Sequence, residues 1–143
     1  MRIPCLTTKS KLRIVAVIVA VIILIVLTLL TNKSVEKTVA VNVYKNGAVI
    51  ENSAIRISGN IKNSFLTSEC SFVGTFAIEY CENLRRDGVE AKIEWGDGYQ
   101  SILFFYAGDF TNFDVSKIEI DRQMDSIIVY LADGTIIATP DRE

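Results

Sequence analysis

Val89-Glu-Ala-Lys-Ile-Glu-Trp-Gly-Asp-Gly-Tyr-Gln-Ser-Ile-Leu-Phe-Phe-Tyr106 is the stretch on which the fold turns. Val89, Ala91, Ile93 and Trp95 alternate with Glu90, Lys92 and Glu94. A period of two puts each set on its own face of a strand, one apolar and one polar. Gly96-Asp97-Gly98 makes a turn, since Gly and Asp accept backbone angles that other residues avoid. Tyr99–Tyr106 then runs back. Ile102–Tyr106 is apolar on both faces, which predicts a central strand or one covered on both sides.

The same period extends in both directions. Upstream lie Val39, Val41 and Val43, then the hairpin signal Asn46-Gly47 with Ala48–Glu51 as a short returning strand. Ile55, Ile57, Gly59 and Ile61 form another alternating set, and Phe72, Gly74, Phe76, Ile78 and Tyr80 a third. Glu79–Gly88 allows one or two helical turns, with Tyr80 and Leu84 four apart and Gly88 as a stop. Downstream, Gly108–Asp114 is a loop carrying Phe110 and Phe113. Val115–Ile120 and Ser126–Ala132 are strands joined through Arg122–Asp125. Asp133-Gly134 predicts a type I′ hairpin turn into Thr135–Ala138, and Pro140 ends the strand. About eight short strands without a βα alternation predict an all-β, mainly antiparallel domain over 39–140, a small sandwich or a rolled sheet.

Before this domain the pattern is different. Ile14–Leu30 is apolar except for Thr28. At 1.5 Å per residue, Leu12–Leu30 spans roughly 28 Å, close to the thickness of bilayer hydrocarbon. A transmembrane helix is expected over 14–31, after a tail of 1–13 and before a polar tether of 32–38. The run exceeds the roughly 7–15 residues of a signal-peptide core, and no A-x-A site follows closely, so it reads as an uncleaved signal-anchor. Arg2, Lys9, Lys11 and Arg13 precede it with no acid among them. The positive-inside rule therefore puts the N-terminus in the cytoplasm and the C-terminal domain outside the cell membrane.

All seventeen acids follow the helix, where they outnumber the remaining cations. A net negative domain lacks the basic footprint that nucleic acid requires. The chain has no histidine, which removes Ser-His-Asp and Cys-His catalysis and imidazole-ligated metals. No zinc spacing, Walker loop or G-x-G-x-x-G occurs. Asp109–Asp114 offers oxygen ligands but lacks the central Gly and final Glu of a calcium loop. No catalytic, cofactor-binding or metal residue is assigned. Glu94 and Asp97, beside Trp95 and Tyr99, form the one carboxylate pair that a hydrolase could use. Against this, Glu94 falls on the polar face of its strand, and Asp97 between glycines is ordinary turn chemistry. Arg85-Arg86-Asp87 reads as a solvated turn.

Cys70 and Cys81 lie in the exported part, and Cys5 near the inner membrane face. A disulfide needs Cα atoms within roughly 7 Å. If Ser71–Tyr80 is one extended strand its ends lie roughly 30 Å apart, so the pair can bond only if the chain reverses near Gly74-Thr75. The alternation favours the straight strand and two free thiols, and the pairing stays open.

Three segments, Ile55-Arg-Ile-Ser-Gly-Asn-Ile61, Phe72-Val-Gly-Thr-Phe-Ala-Ile-Glu-Tyr80 and Ala132-Asp-Gly-Thr-Ile-Ile-Ala-Thr-Pro140, resemble those of small single-pass membrane-anchored proteins of Gram-positive bacteria. The resemblance implies an envelope location and carries no activity with it. Type IV pilins also join an N-terminal apolar helix to a β domain. Their Gly before the helix and Glu in its first turn are missing from Ser10-Lys-Leu-Arg13 and the run after it. The expected function is a non-enzymatic envelope module, anchored in the bilayer through Ile14–Leu30, that binds an envelope protein or its own kind. The alternative is a tethered hydrolase using Asp and Glu carboxylates.

Overall fold

A computed structural model describes residues 8–64, 66–110 and 113–140. One apolar helix, α1 (Thr8–Thr31), leads into nine strands. These are β1 (Asn32–Lys45), β2 (Ala48–Asn63), β3 (Cys70–Ile78), β4 (Val89–Gly96), β5 (Tyr99–Tyr106), β6 (Asp109–Phe110), β7 (Val115–Ile120), β8 (Ile127–Leu131) and β9 (Ile136–Ala138). They form a single sheet in the order β6-β5-β4-β3-β2-β1-β9-β8-β7, with each pair antiparallel. The sheet rolls up nearly into a barrel, the rolled alternative of the expected all-β fold. Thr8–Thr28 is long and apolar enough to cross a membrane, and none of it is buried in the domain.

The alternating sets land where the period puts them. Val89, Ala91, Ile93 and Trp95 are buried, while Glu90 is exposed and Lys92 and Glu94 are half-exposed. Ile55, Ile57 and Ile61 on β2 lie beside their register partners Ile78, Phe76 and Phe72 on β3, all buried on the inner face. Gly59 and Gly74 pair directly within this inward row. A Cβ on Gly59 would lie 2.4 Å from the Val73 carbonyl and 2.8 Å from the Phe72 ring. The two strands touch there, and the Phe72 ring covers the space that neither glycine fills. Such a glycine contact lets a sheet bend sharply.

Two ends of an open sheet must be closed off from water. The closure uses side chains: the Trp95 indole N–H donates to the Ile120 carbonyl at 2.8 Å, and Gln100 Nε2 donates to the same oxygen at 3.0 Å. Phe104 carries the interior across, with its ring 6.1 Å from both Phe76 and Phe113. Below Asn42, where β9 stops pairing with β1, the 121–126 loop takes over. Lys37 Nζ binds the Gln123 carbonyl and, at 2.8 Å, the Asp125 carboxylate. The Asp121 carboxylate accepts the Asp125 and Ser126 N–H groups, and Met124 is driven into the core.

Several expectations are corrected. Residues 32–38 are no tether: they are the first half of β1, paired with 56–62 of β2. Only Val35 is apolar between Asn32 and Thr38, yet Val35, Lys37 and Val39 are half-buried between exposed neighbours, a strand pattern in polar residues. Ala48–Glu51 and Ile55–Ile61 are one continuous strand. β5 is not central, since only Phe105 and Tyr106 pair beyond it. Glu79–Gly88 is a series of turns with one helix-like bond, Arg85 N–H to the Cys81 carbonyl. The Asp133-Gly134 turn is not type I′, which needs positive φ at both residues. Only Gly134 has it, at 84°, and the loop closes through Leu131 N–H to the Thr135 carbonyl. That is the longer hairpin connection with a glycine bulge.

Candidate functional site

Two regions stand apart from the closed core. The first is a cleft of about 800 Å³ where the barrel's lower end meets the last turns of α1. Leu24, Leu27, Thr28 and Thr31 form one wall, and Lys62, Leu66, Trp95 and Tyr99 belong to the other. The carboxylate pair of the hydrolase reading sits at this end. Glu94 lines the cleft, but its carboxylate is ion-paired with Lys92 at 2.7 Å. Asp97 lies on the turn above and accepts the Ser68 hydroxyl at 2.5 Å. Both carboxylates thus have a partner. Among the described residues, no group of three or more His, Cys, Asp or Glu is placed to hold a metal.

The second region is the far end of the β1–β2 hairpin. Asn46 and Gly47 both have positive φ, 52° and 78°, as the sequence signal requires. β3 pairs with β2 only from Ile55 onward, and one further bond joins Glu79 N–H to the Ala54 carbonyl. Residues 48–53 therefore have β1 on one side and no strand on the other. Val43 faces Glu51 while Tyr44 faces Val49, so Ile50 is an extra, bulged residue. Val49 and Ile50 are each 51% exposed. Two adjacent exposed apolar side chains thus lie on a strand segment with one open edge. Asn46-Gly47 announced the hairpin, but no sequence signal told that β3 would stop short of it.

The remaining residues singled out in the sequence are placed as follows. Cys70 is buried at the start of β3 and Cys81 lies beyond its end, with both thiols free. The straight strand between them keeps them apart. Burial pushes the Cys81 thiol up to about 11, helped by the nearby Asp133 carboxylate. Cys70 is also raised by burial, with Arg122 acting against the shift. Phe113 packs on the core. Thr111 and Asn112 of the Asp109–Asp114 loop lie outside the described residues, as do Cys5 and Arg2. Arg86 and Asp87 line a shallow surface groove with Arg56.

No protein-family model matches the chain, and neither the curated proteins nor the solved structures contain a match.

Proposed function

We propose that the chain is a membrane-tethered module of a bacterial envelope that binds a partner through the free end of its β1–β2 hairpin. One observation carries this reading. The 48–53 edge is unpaired, and beside it Val49 and Ile50 are exposed far from α1. An open strand edge is a ready surface for another chain, and a bulge such as that at Ile50 limits indiscriminate pairing. In this reading α1 crosses the cell membrane with its N-terminus in the cytoplasm, and the barrel stands outside. The partner is an envelope protein or a second copy of the chain.

A photo-crosslinking residue at the exposed Ala48 tests the site in cells. Expected is one discrete adduct, lost in a Val49→Asp/Ile50→Asp double variant, with the same phenotype as deletion of the domain. Should Glu94→Gln or Asp97→Asn reproduce the deletion while the double variant behaves as wild type, the hydrolase reading takes its place. Orientation has its own test. Protease added outside spheroplasts should remove a C-terminal tag and spare an N-terminal one, and the reverse pattern would overturn the topology.

A further inference from the structure

Between β2 and β3, Ser64, Thr67, Ser68 and Glu69 are tied down by hydrogen bonds, yet Leu66 beside them stands out in the open. Ser64 N–H donates to the Glu69 carbonyl at 2.9 Å, and Thr67 N–H to Ser64 Oγ at 3.2 Å. Ser68 ties the loop to the β4–β5 turn through Asp97. Leu66 is 91% exposed, and Tyr99 at the start of β5 is 53% exposed. Both line the same cleft as Leu24 and Leu27. Those two leucines fall inside the stretch of α1 able to cross a membrane. Leu24 lies about 6 Å along the helix axis from Thr28, one turn deeper. Loop residues that share a cleft with Leu24 and Leu27 cannot stand clear of the bilayer if α1 spans it.

We infer that the underside of the barrel rests in the outer leaflet of the bilayer that α1 crosses, with lipid filling the cleft. This rests on the proposal that α1 spans the membrane. Leu66 enters the boundary between headgroups and acyl chains. Tyr99 suits the same depth, with an apolar ring and a hydroxyl that stays wet. Lys62 in the cleft and Lys33, two residues past α1, extend ammonium groups to lipid phosphates while their stems stay apolar. Glu69 and Glu94 also line the cleft. Their charge keeps the contact shallow, within the roughly 5–10 Å of an interfacial segment. β1 begins at the residue after α1 ends, so the barrel has no loose linker on which to swing away.

The chain has a single tryptophan, Trp95, and it lines this cleft. That allows a test on the full chain in phosphatidylcholine vesicles whose acyl chains carry bromine, either near the headgroup or near the bilayer centre. Shallow bromines should quench Trp95 about twofold more than deep ones, as an interfacial position requires. Leu66→Asp alters a side chain that contributes nothing to the core, and it should reduce the shallow quenching by about half. Carbonate extraction of the same vesicles separates the two ideas. If the chain resists extraction but the shallow bromines quench Trp95 no more than the deep ones, the leaflet contact is overturned and the span stands. Unchanged quenching in Leu66→Asp removes Leu66 from the contact and overturns the inference as stated. Release by carbonate overturns the span, and this inference with it.

Discussion

The carboxamide of Gln100 stands in for a missing strand at Ile120. Its Nε2 donates to the Ile120 carbonyl at 3.0 Å, and its Oε1 accepts the Ile120 N–H at 3.4 Å. A neighbouring backbone would present the same donor and acceptor. The ends of the sheet thus meet through one side chain, backed by Trp95 on the same oxygen. Gln100→Leu keeps the approximate volume and removes both bonds. It should cost about 1–3 kcal/mol, the desolvation penalty of a polar group left without a partner. Urea unfolding of a fragment beginning at Asn32 measures this, because none of the described side chains of α1 belongs to the core. A midpoint equal to wild type would mean that the barrel does not depend on this closure.

Gly59 and Gly74 make a second pressure point. A methyl group on Gly59 has nowhere to go but into the Val73 carbonyl and the Phe72 ring. Gly59→Ala should cost about 1–3 kcal/mol or more through forced displacement of the backbone. Phe72→Ala should cost about 3–5 kcal/mol by opening a cavity over the same bend. Asn60→Ala, one residue away and exposed, should stay within about 0.5 kcal/mol. Equal losses for Gly59→Ala and Asn60→Ala would show that the strands do not touch there.

At the β8–β9 turn the left-handed backbone of Gly134, φ 84°, meets open space rather than a neighbour. Strain is therefore purely conformational. Gly134→Val should cost about 1–3 kcal/mol. Gly134→Asn should cost distinctly less, because Asn tolerates this region. Chemical denaturation of both variants gives the comparison, and a reversed order would contradict the turn geometry. Glu90→Gln, on the exposed face of β4, serves as a neutral reference within about 0.5 kcal/mol.

The raised thiol of Cys81 predicts a pH dependence. In the unfolded chain it ionises near its ordinary 9.0, and in the folded chain at about 11. Between these values the folded state holds the extra proton. This contribution is complete below about 9 and is lost as pH rises toward 11. Cys81→Ala should remove that part of the alkaline decline. Parallel stability curves for wild type and variant across this range would refute the shift. Iodoacetamide should likewise modify Cys81 slowly near neutral pH in the folded protein, since the thiolate is the nucleophile.

Strand identity was legible wherever apolar residues alternated without interruption, as in Val89–Trp95 and Phe72–Ile78. It failed at Asn32–Thr38, where the alternation is carried by Lys and Thr and only one valine marks the buried face. There the pairing with β2 wins over composition. Gln100 was invisible for another reason. A lone glutamine within an apolar strand has no local signature, and its role depends on Ile120 arriving from a distant part of the chain. The meeting of Gly59 with Gly74 depends similarly on register, which neither strand contains by itself. The hairpin tip at Asn46-Gly47 could be read, but its freedom could not, since that depends on where β3 ends.

The unbroken passage from α1 into a β1 of 14 residues makes the protein a gauge of distance. At about 3.3 Å per residue the ribbon reaches about 45 Å from the end of α1 to its tip. Its height is then written in strand length rather than in linker entropy, so Val49 and Ile50 are held near one altitude. Under the proposed topology, a counterpart sitting in the same bilayer would need comparable stature to reach them. One embedded in a surrounding layer would be met only at that depth. Adding or removing two residues in each strand would move the tip by about 7 Å without turning either face, so reach could be tuned while the barrel below stays the same.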